Sequence, residues 1–219
     1  MKYSVCLLAA GKGSRTKLNY NKVFYKLINH KSAGKETILD CSLSVFLEDP
    51  DCRQVIITCA PKELDLMCSL YRKYDRVQVV IGGTTRQDSV ERALKAVKYP
   101  FVFIHDAARP YLKREQIEAL KHALKKEKAC LLMVPSIDTI KTVENGYVKE
   151  TMVRSEVYHA QTPQCFETKL IKECHVKAKK EHRLATDDAQ LVEWYSDTPI
   201  RVVVGDTSNK KITLPSDLK

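Results

Sequence analysis

One feature constrains this chain more than any other: short apolar, β-branched runs alternate with helix-sized amphipathic stretches. Ser4–Ala9, Gln54–Cys59, Val77–Ile81, Phe101–Ile104, Cys130–Val134 and Ile200–Val204 read as strands. Thr37–Phe46, Pro61 to about Tyr74, Ser89–Val97, Arg114–Lys126, Lys169–Lys180 and Asp187–Tyr195 read as helices. Within Ser89–Val97, the residues Val90, Ala93, Leu94 and Val97 fall at i, i+3, i+4 and i+7, a single apolar helix face. A helix between successive strands returns the chain to the same sheet edge-on, so neighbours run parallel and both sheet faces are covered. The expected class is α/β, with a mostly parallel sheet and helices on both faces. The pattern changes after Pro135. Ile140–Val143 and Tyr147–Val153 flank Glu144-Asn145-Gly146, and Asn-Gly is a strong hairpin turn. A projecting β-arm over about 138–160 is expected on one domain spanning 1–219.

Composition narrows the classes further. Hydrophobic residues make up 44% and charged residues 29%, which excludes wholesale disorder. A chain of 219 residues buries about 70% of its surface, enough for one sizeable core. No apolar run reaches the roughly 20 residues of a membrane helix, so no membrane partner is expected. The apolar start Tyr3–Ala10 reads as a buried first strand. A signal peptide fits poorly, because one lysine precedes it and Gly-Lys-Gly-Ser-Arg follows. Eight cysteines occur without a C-x-x-C pair, which suits reduced core thiols in a cytoplasmic protein. The formal charge of +10 points to an anionic partner. Lys121–Lys128 and Lys169–Arg183 read as solvated helix faces, and no aromatic ladder beside them argues for nucleic acid.

Glycine placement is more specific. Of seven glycines, Gly11, Gly13, Gly82 and Gly83 follow directly on predicted strands. Glycine at a strand end lets a ligand approach the backbone, and successive N–H groups can cradle phosphate. A redox dinucleotide fingerprint fails because Thr16 stands where the third glycine belongs, and Walker spacing is absent. What remains is a Gly-x-Gly-x-Arg turn with Lys22 seven residues beyond Arg15, a cationic nest suited to a triphosphate. Phe101–Ile104 runs into His105-Asp106-Ala107-Ala108-Arg109-Pro110. That places a carboxylate at the end of a central strand, where α/β sheets bind ligands; a helix cap is the other reading of Asp106.

These motifs resemble a known family. In order they are Ala9-Ala10-Gly11-Lys12-Gly13-Ser14-Arg15, Lys22, Gly82-Gly83-Thr84-Thr85-Arg86-Gln87-Asp88-Ser89-Val90, His105 to Pro110, Thr162-Pro163-Gln164, Thr186-Asp187-Asp188-Ala189 and Lys211-Ile212-Thr213. The arrangement resembles the 2-C-methyl-D-erythritol 4-phosphate cytidylyltransferases of non-mevalonate isoprenoid synthesis, over residues 4 to 218. The resemblance implies a Rossmann-like nucleotidyltransferase fold, homodimerisation through the β-arm, and CMP transfer from CTP to the polyol phosphate with Mg²⁺. It assigns Arg15 and Lys22 to the pentacoordinate transition state and Arg154 and Lys211 to the attacking phosphate. Ala9, Ala10, Gly11 and Gly13 with Gly83 and Ser89 would hold the nucleotide. Asp106 would lie near ribose, sugar substrate and metal, with Arg109, Thr139 and Thr162 on the substrate side.

Some positions depart from the family. Asn21 and Val23 stand where Pro and Gln often flank the lysine, and Thr84 where an acidic residue is common. The sequence ends just past Pro215-Ser216-Asp217-Leu218, where the family usually adds a helix. Two other readings stay open: a ribitol-5-phosphate cytidylyltransferase sharing these motifs, and a non-catalytic basic module that binds polyanions. Without the family motif, Lys211 would read as a surface lysine.

Overall fold

The structure, a computed structural model, describes residues 1–11, 16, 18–27 and 36–218. Its centre is a seven-stranded sheet built from β1 (Tyr3–Leu8), β2 (Cys52–Cys59), β3 (Val77–Ile81), β4 (Phe101–Asp106), β5 (Ala129–Pro135), β8 (Tyr158–Glu167) and β9 (Arg201–Val204). Their spatial order is β3-β2-β1-β4-β8-β5-β9. β1 pairs in parallel with β2 and β4, β2 with β3, and β5 with β9. Among the described residues six α-helices cover the sheet: α1 (Ile38–Leu47), α2 (Leu64–Tyr71), α3 (Arg86–Ala96), α4 (Arg114–Ala123), α5 (Thr168–Lys180) and α6 (Asp188–Tyr195).

Alternation along the strands divides the core in two. From β1, Tyr3, Val5 and Leu7 pack with Leu39, Leu43 and Phe46 of α1, Met67 of α2 and Ile117 of α4. Cys6 faces the other way, with Ile104, Val90 and Leu94 of α3, Ile171 of α5 and Leu191 of α6. Burial on both faces explains why these strands read as continuous apolar runs.

β8 was not expected as a strand. It runs antiparallel between β4 and β5 near the middle of the sheet. Its sequence, YHAQTPQCFE, is polar and holds Pro163, which argues against a central strand. The register against β5 shifts between Leu131 and Met133, opposite the stretch holding Pro163, so the proline falls where the ladder is already interrupted. Residues 158–160 therefore pair with β5. The arm proper is the hairpin β6 (Lys141–Glu144) and β7 (Tyr147–Thr151), turning at Asn145 and Gly146 with positive φ.

In the first lysine run Lys125, Lys126 and Lys128 are exposed as a solvated face requires, but Lys121 is not. α4 ends at Ala123, and Lys121 is buried between Asp49 at 3.1 Å, Asp51 at 2.9 Å and Glu118 at 2.8 Å. It ties the helix to the end of β2 distant from the glycines. All eight cysteines are free thiols, and all but Cys68 are buried. No helix among the described residues is long and apolar enough to cross a membrane.

Candidate active site

The sheet reverses its winding at β1, which has β2 on one side and β4 on the other. In such sheets the crevice outside the strand C-termini at this point is the ligand site. Here a cavity of about 740 Å³ opens there, lined by the ends of β1, β2, β3 and β4. Leu8 and Asp106 are paired in register, which sets the carboxylate beside Ala9, Ala10 and Gly11. Among the described residues Lys22, Arg86, Arg92 and Lys211 also line it, against the single carboxylate of Asp106.

The second glycine pair is sterically required. A Cβ on Gly82 would stand 2.5 Å from the Ala10 Cβ, and one on Gly83 would stand 2.1 Å from the Asp88 Cβ. The loop after β3 therefore lies tight against both β1 and the start of α3. Ser89 Oγ accepts from Gly83 N at 3.0 Å and donates to Thr85 O at 2.9 Å, so this hydroxyl shapes the loop. Thr85 caps α3 through Asp88, and Thr84 Oγ1 donates to Asp88 Oδ2 at 2.7 Å. The threonine that replaces the family's acidic residue thus reinforces the cap. Arg92, to which sequence reasoning gave no role, holds Gly82 O at 2.8 Å. At Gly11 a Cβ would meet nothing within 4 Å, because that backbone faces the cavity.

The other departures also have local reasons. Asn21 is buried, caps the short 3₁₀ turn Lys22–Phe24, and donates to Ala9 O at 2.7 Å and Glu63 Oε2 at 3.1 Å. It fastens the lysine turn to the end of β1 by hydrogen bonds where a proline would act through backbone stiffness. Val23 enters the core. The turn thereby aims Lys22 into the cavity, where Nζ donates to Ile212 O at 2.6 Å.

The segment after β9 crosses the open end of the sheet and delivers Lys211. Ile212 N donates to Ala108 O at 2.8 Å, and the buried Asn209 donates to Thr162 O at 3.0 Å. Lys211 Nζ then reaches Asp106 Oδ2 at 2.7 Å, while Arg86 Nε lies 3.4 Å from Asp106 Oδ1. Burial opposes ionisation of Asp106, but Arg86, Lys211 and Arg109 outweigh it and hold the carboxyl well below the usual carboxylate range.

Beneath Asp106 the backbone is pinned by neutral groups. Thr162 Oγ1 accepts from Asp106 N at 3.0 Å and lies 3.0 Å from His105 Nδ1. The hydroxyl proton then goes to Nδ1, which leaves Nε2–H to donate to Arg109 O at 3.2 Å. Burial pulls the His105 pKa down to about 4 against the opposing pull of Asp106. A base whose pKa falls on folding takes up protons more readily when unfolded. Its contribution is complete above about pH 6.5 and is lost as the pH falls towards 4. The wild type should lose about 3 kcal/mol more than His105→Gln between pH 7 and pH 4. Denaturant midpoints across that range check this, and parallel curves would contradict it.

Of the residues expected at the site, Ala9, Ala10, Gly11, Lys22, Gly83, Ser89, Asp106 and Lys211 converge on the cavity. Thr162 lies just below it, and Arg109 is turned aside to Asn209 O at 2.7 Å. Thr139 and Arg154 are exposed beside the arm and do not line this chain's cavity. Gly13 and Arg15 lie outside the described residues. Arg86 stands in a motif singled out from the sequence, yet only its ion pair with Asp106 reveals its place in the site.

A parallel sheet with strand-end glycine loops, a cation-lined crevice and one central carboxylate defines a nucleotidyltransferase of Rossmann-like fold. Residues 3–219 match the family model for 2-C-methyl-D-erythritol 4-phosphate cytidylyltransferase. The chain belongs to that family. It is 41% identical to the enzyme of that name from Halalkalibacterium halodurans, covering 100% of this chain and 94% of the relative. It is 36% identical to the one from Bacillus pumilus with the same coverage. The crystal structure of 4-diphosphocytidyl-2C-methyl-D-erythritol synthase from Anaerococcus prevotii superposes with a TM-score of 0.85 at 31% identity, covering 99% of this chain and 95% of that one. The Francisella tularensis 2-C-methyl-D-erythritol 4-phosphate cytidylyltransferase gives 0.82 at 31% identity, covering 100% and 97%.

Proposed function

We propose that the cavity carries out CMP transfer from CTP to 2-C-methyl-D-erythritol 4-phosphate, releasing pyrophosphate. The observation that carries this reading is the lining itself, which among the described residues sets four cations and one carboxylate over two glycine-bearing strand ends. A phosphate oxygen of the polyol attacks the α-phosphorus, one P–O bond forms, and the bond to the leaving pyrophosphate breaks. The nucleophile is already an anion, so no general base is required. The barrier lies in bringing two polyanions together, which places the work on positioned cations. Lys22, with Arg15, would neutralise charge at the α-phosphate, and Lys211 would orient the attacking phosphate. Backbone at Ala9, Ala10 and Gly11, with the Gly82–Gly83 loop, would select cytosine and ribose.

Asp106 would hold Mg²⁺. The donor set fits, since this ion usually takes one or two carboxylates with substrate phosphates supplying the rest. Among the described residues no cluster of three or more His, Cys, Asp or Glu offers another site. The ion would offset charge on the phosphates.

The arm supports a homodimer. Val143, Tyr147, Val148 and Val153 are exposed on it, an apolar surface suited to a second copy. Arg154, on the same arm, would then act on methylerythritol phosphate from a neighbouring copy. Arg154→Ala should raise the KM for methylerythritol phosphate about tenfold or more while leaving CTP binding near wild type. A loss confined to CTP affinity would contradict that role. The free thiols support a reducing, cytoplasmic setting.

The direct test is pyrophosphate release with CTP, Mg²⁺ and each polyol phosphate. Turnover with methylerythritol phosphate and not with ribitol 5-phosphate is expected; the reverse would overturn the assignment. Selective thermal stabilisation by CTP over other polyanions would set it apart from a non-catalytic basic module.

A further inference from the structure

Behind the cavity wall stands a buried charged group that the reaction scheme leaves unused. Asp188 is 1% exposed and His175 is 3% exposed, and neither lines the cavity. Asp188 Oδ2 lies 2.7 Å from Arg86 Nη2, and Asp188 Oδ1 lies 3.6 Å from His175 Nε2. A second nitrogen of the same guanidinium, Nε, faces Asp106. Arg86 is thus a planar fork strung between two carboxylates, one in the site and one outside it. Arg86 Nη2 and Asp188 Oδ2 are both buried, and neither makes an aligned hydrogen bond among the described residues. Each therefore depends on the charge of the other.

Asp188 is itself firmly placed. Gln164 of β8 accepts from Asp188 N at 2.9 Å and Ala189 N at 3.0 Å, and donates to Asp187 Oδ2 at 2.7 Å. Asp187 caps α6 through Gln190 N. One glutamine side chain thereby locks the first turn of α6 onto the strand that carries Thr162, which in turn holds Asp106 N. On the far side, Gln87 donates to Arg183 O at 3.0 Å and accepts from Ala185 N at 2.8 Å, binding the α5–α6 loop to α3 next to Arg86. The Thr162-Pro163-Gln164 and Thr186-Asp187-Asp188-Ala189 segments so form one brace that ends on Asp106.

We propose that Asp188 is a positioning residue for the transfer reaction: it anchors Nη2 of Arg86 so that Nε of the same rigid group fixes the orientation of Asp106. A lysine could not do this, because a point charge cannot address two carboxylates in a fixed plane as a guanidinium does. Small displacements at a transfer site are costly to rate, so the effect should appear in kcat. The proposal rests on Asp106 belonging to the reaction centre.

The test compares Asp188→Asn, Arg86→Ala, the double variant and Asp106→Asn in the intact protein. Asp188→Asn should lower kcat about tenfold to a hundredfold, with the KM for CTP within about threefold of wild type. In the Arg86→Ala background the same change should cost no more than about twofold, because the group it positions is gone. In the substrate-free protein, the Arg86 ¹⁵Nε–H signal should be sharp in wild type and exchange-broadened in Asp188→Asn. Additive losses in kcat, or an unchanged Arg86 signal, overturn the proposal. Should Asp188→Asn not fold, Arg86→Lys decides: it should lose kcat nearly as far as Arg86→Ala, and a wild-type kcat overturns the brace. If Asp106→Asn and Arg86→Ala both turn over normally, the underlying placement of Asp106 fails instead. If they are impaired and Asp188→Asn is not, only the role of Asp188 fails.

Discussion

Lys22→Ala is expected to lower turnover by about a hundredfold to a thousandfold, the usual cost of removing one group aimed at transition-state charge. Lys22 stands on a turn capped by Asn21, whose side chain is tied to β1 and to Glu63. Those anchors do not involve the lysine side chain. The variant should therefore fold, with a thermal midpoint close to wild type. The amine donates to Ile212 O, a backbone group that is itself held in place by the Ile212 N to Ala108 O hydrogen bond. Because the charge is needed most as the α-phosphorus becomes pentacoordinate, kcat should fall far more than CTP affinity. Steady-state kinetics with a melting curve check this; near-normal kcat in a folded variant would remove Lys22 from the chemistry.

Lys211→Ala should be nearly as damaging, by a different route. Lys211 shares Asp106 with Arg86, so its removal leaves Asp106 with fewer counter-charges and, on the role proposed for it, takes one cation from the attacking phosphate. The stability cost should be about 1 kcal/mol or less, because the lysine is over a third exposed and solvent screens the pair. Turnover should fall about a hundredfold or more, chiefly in kcat/KM for the polyol phosphate. A variant that loses activity only through CTP binding would place Lys211 on the nucleotide side instead.

Much of this arrangement is legible before folding. Strands buried on both faces announce themselves as apolar runs, as Gln54–Cys59 of β2 does, and even the edge strand Val77–Ile81 is found where the sequence puts it. The glycine pair after β3 is legible because only glycine fits between Ala10, Ser89 and Asp88. β8 is not legible, since a strand made of His159, Gln161, Thr162, Pro163 and Gln164 satisfies its polar groups through specific partners instead of periodic burial. Lys121 misleads for the same reason, as two of its three neutralising carboxylates, Asp49 and Asp51, lie about seventy positions away in sequence. Arg86 and Arg92 are hidden because an arginine in a helix's first turns looks like surface charge until the partner across the sheet is known. Arg154 is the opposite case: only the family resemblance names it, and the structure leaves it exposed and outside this chain's cavity.

In the proposed reaction Lys22 and Lys211 flank the phosphorus that is transferred. A crystal structure with Mg²⁺ and a CTP analogue that cannot be cleaved between the α- and β-phosphates measures this directly. The prediction is cytosine against the Gly82–Gly83 loop, with the α-phosphate between the Lys22 and Lys211 amines and within hydrogen-bonding reach of Lys22. Phosphates bound away from both lysines, with the crevice beside Asp106 left to solvent, would contradict it.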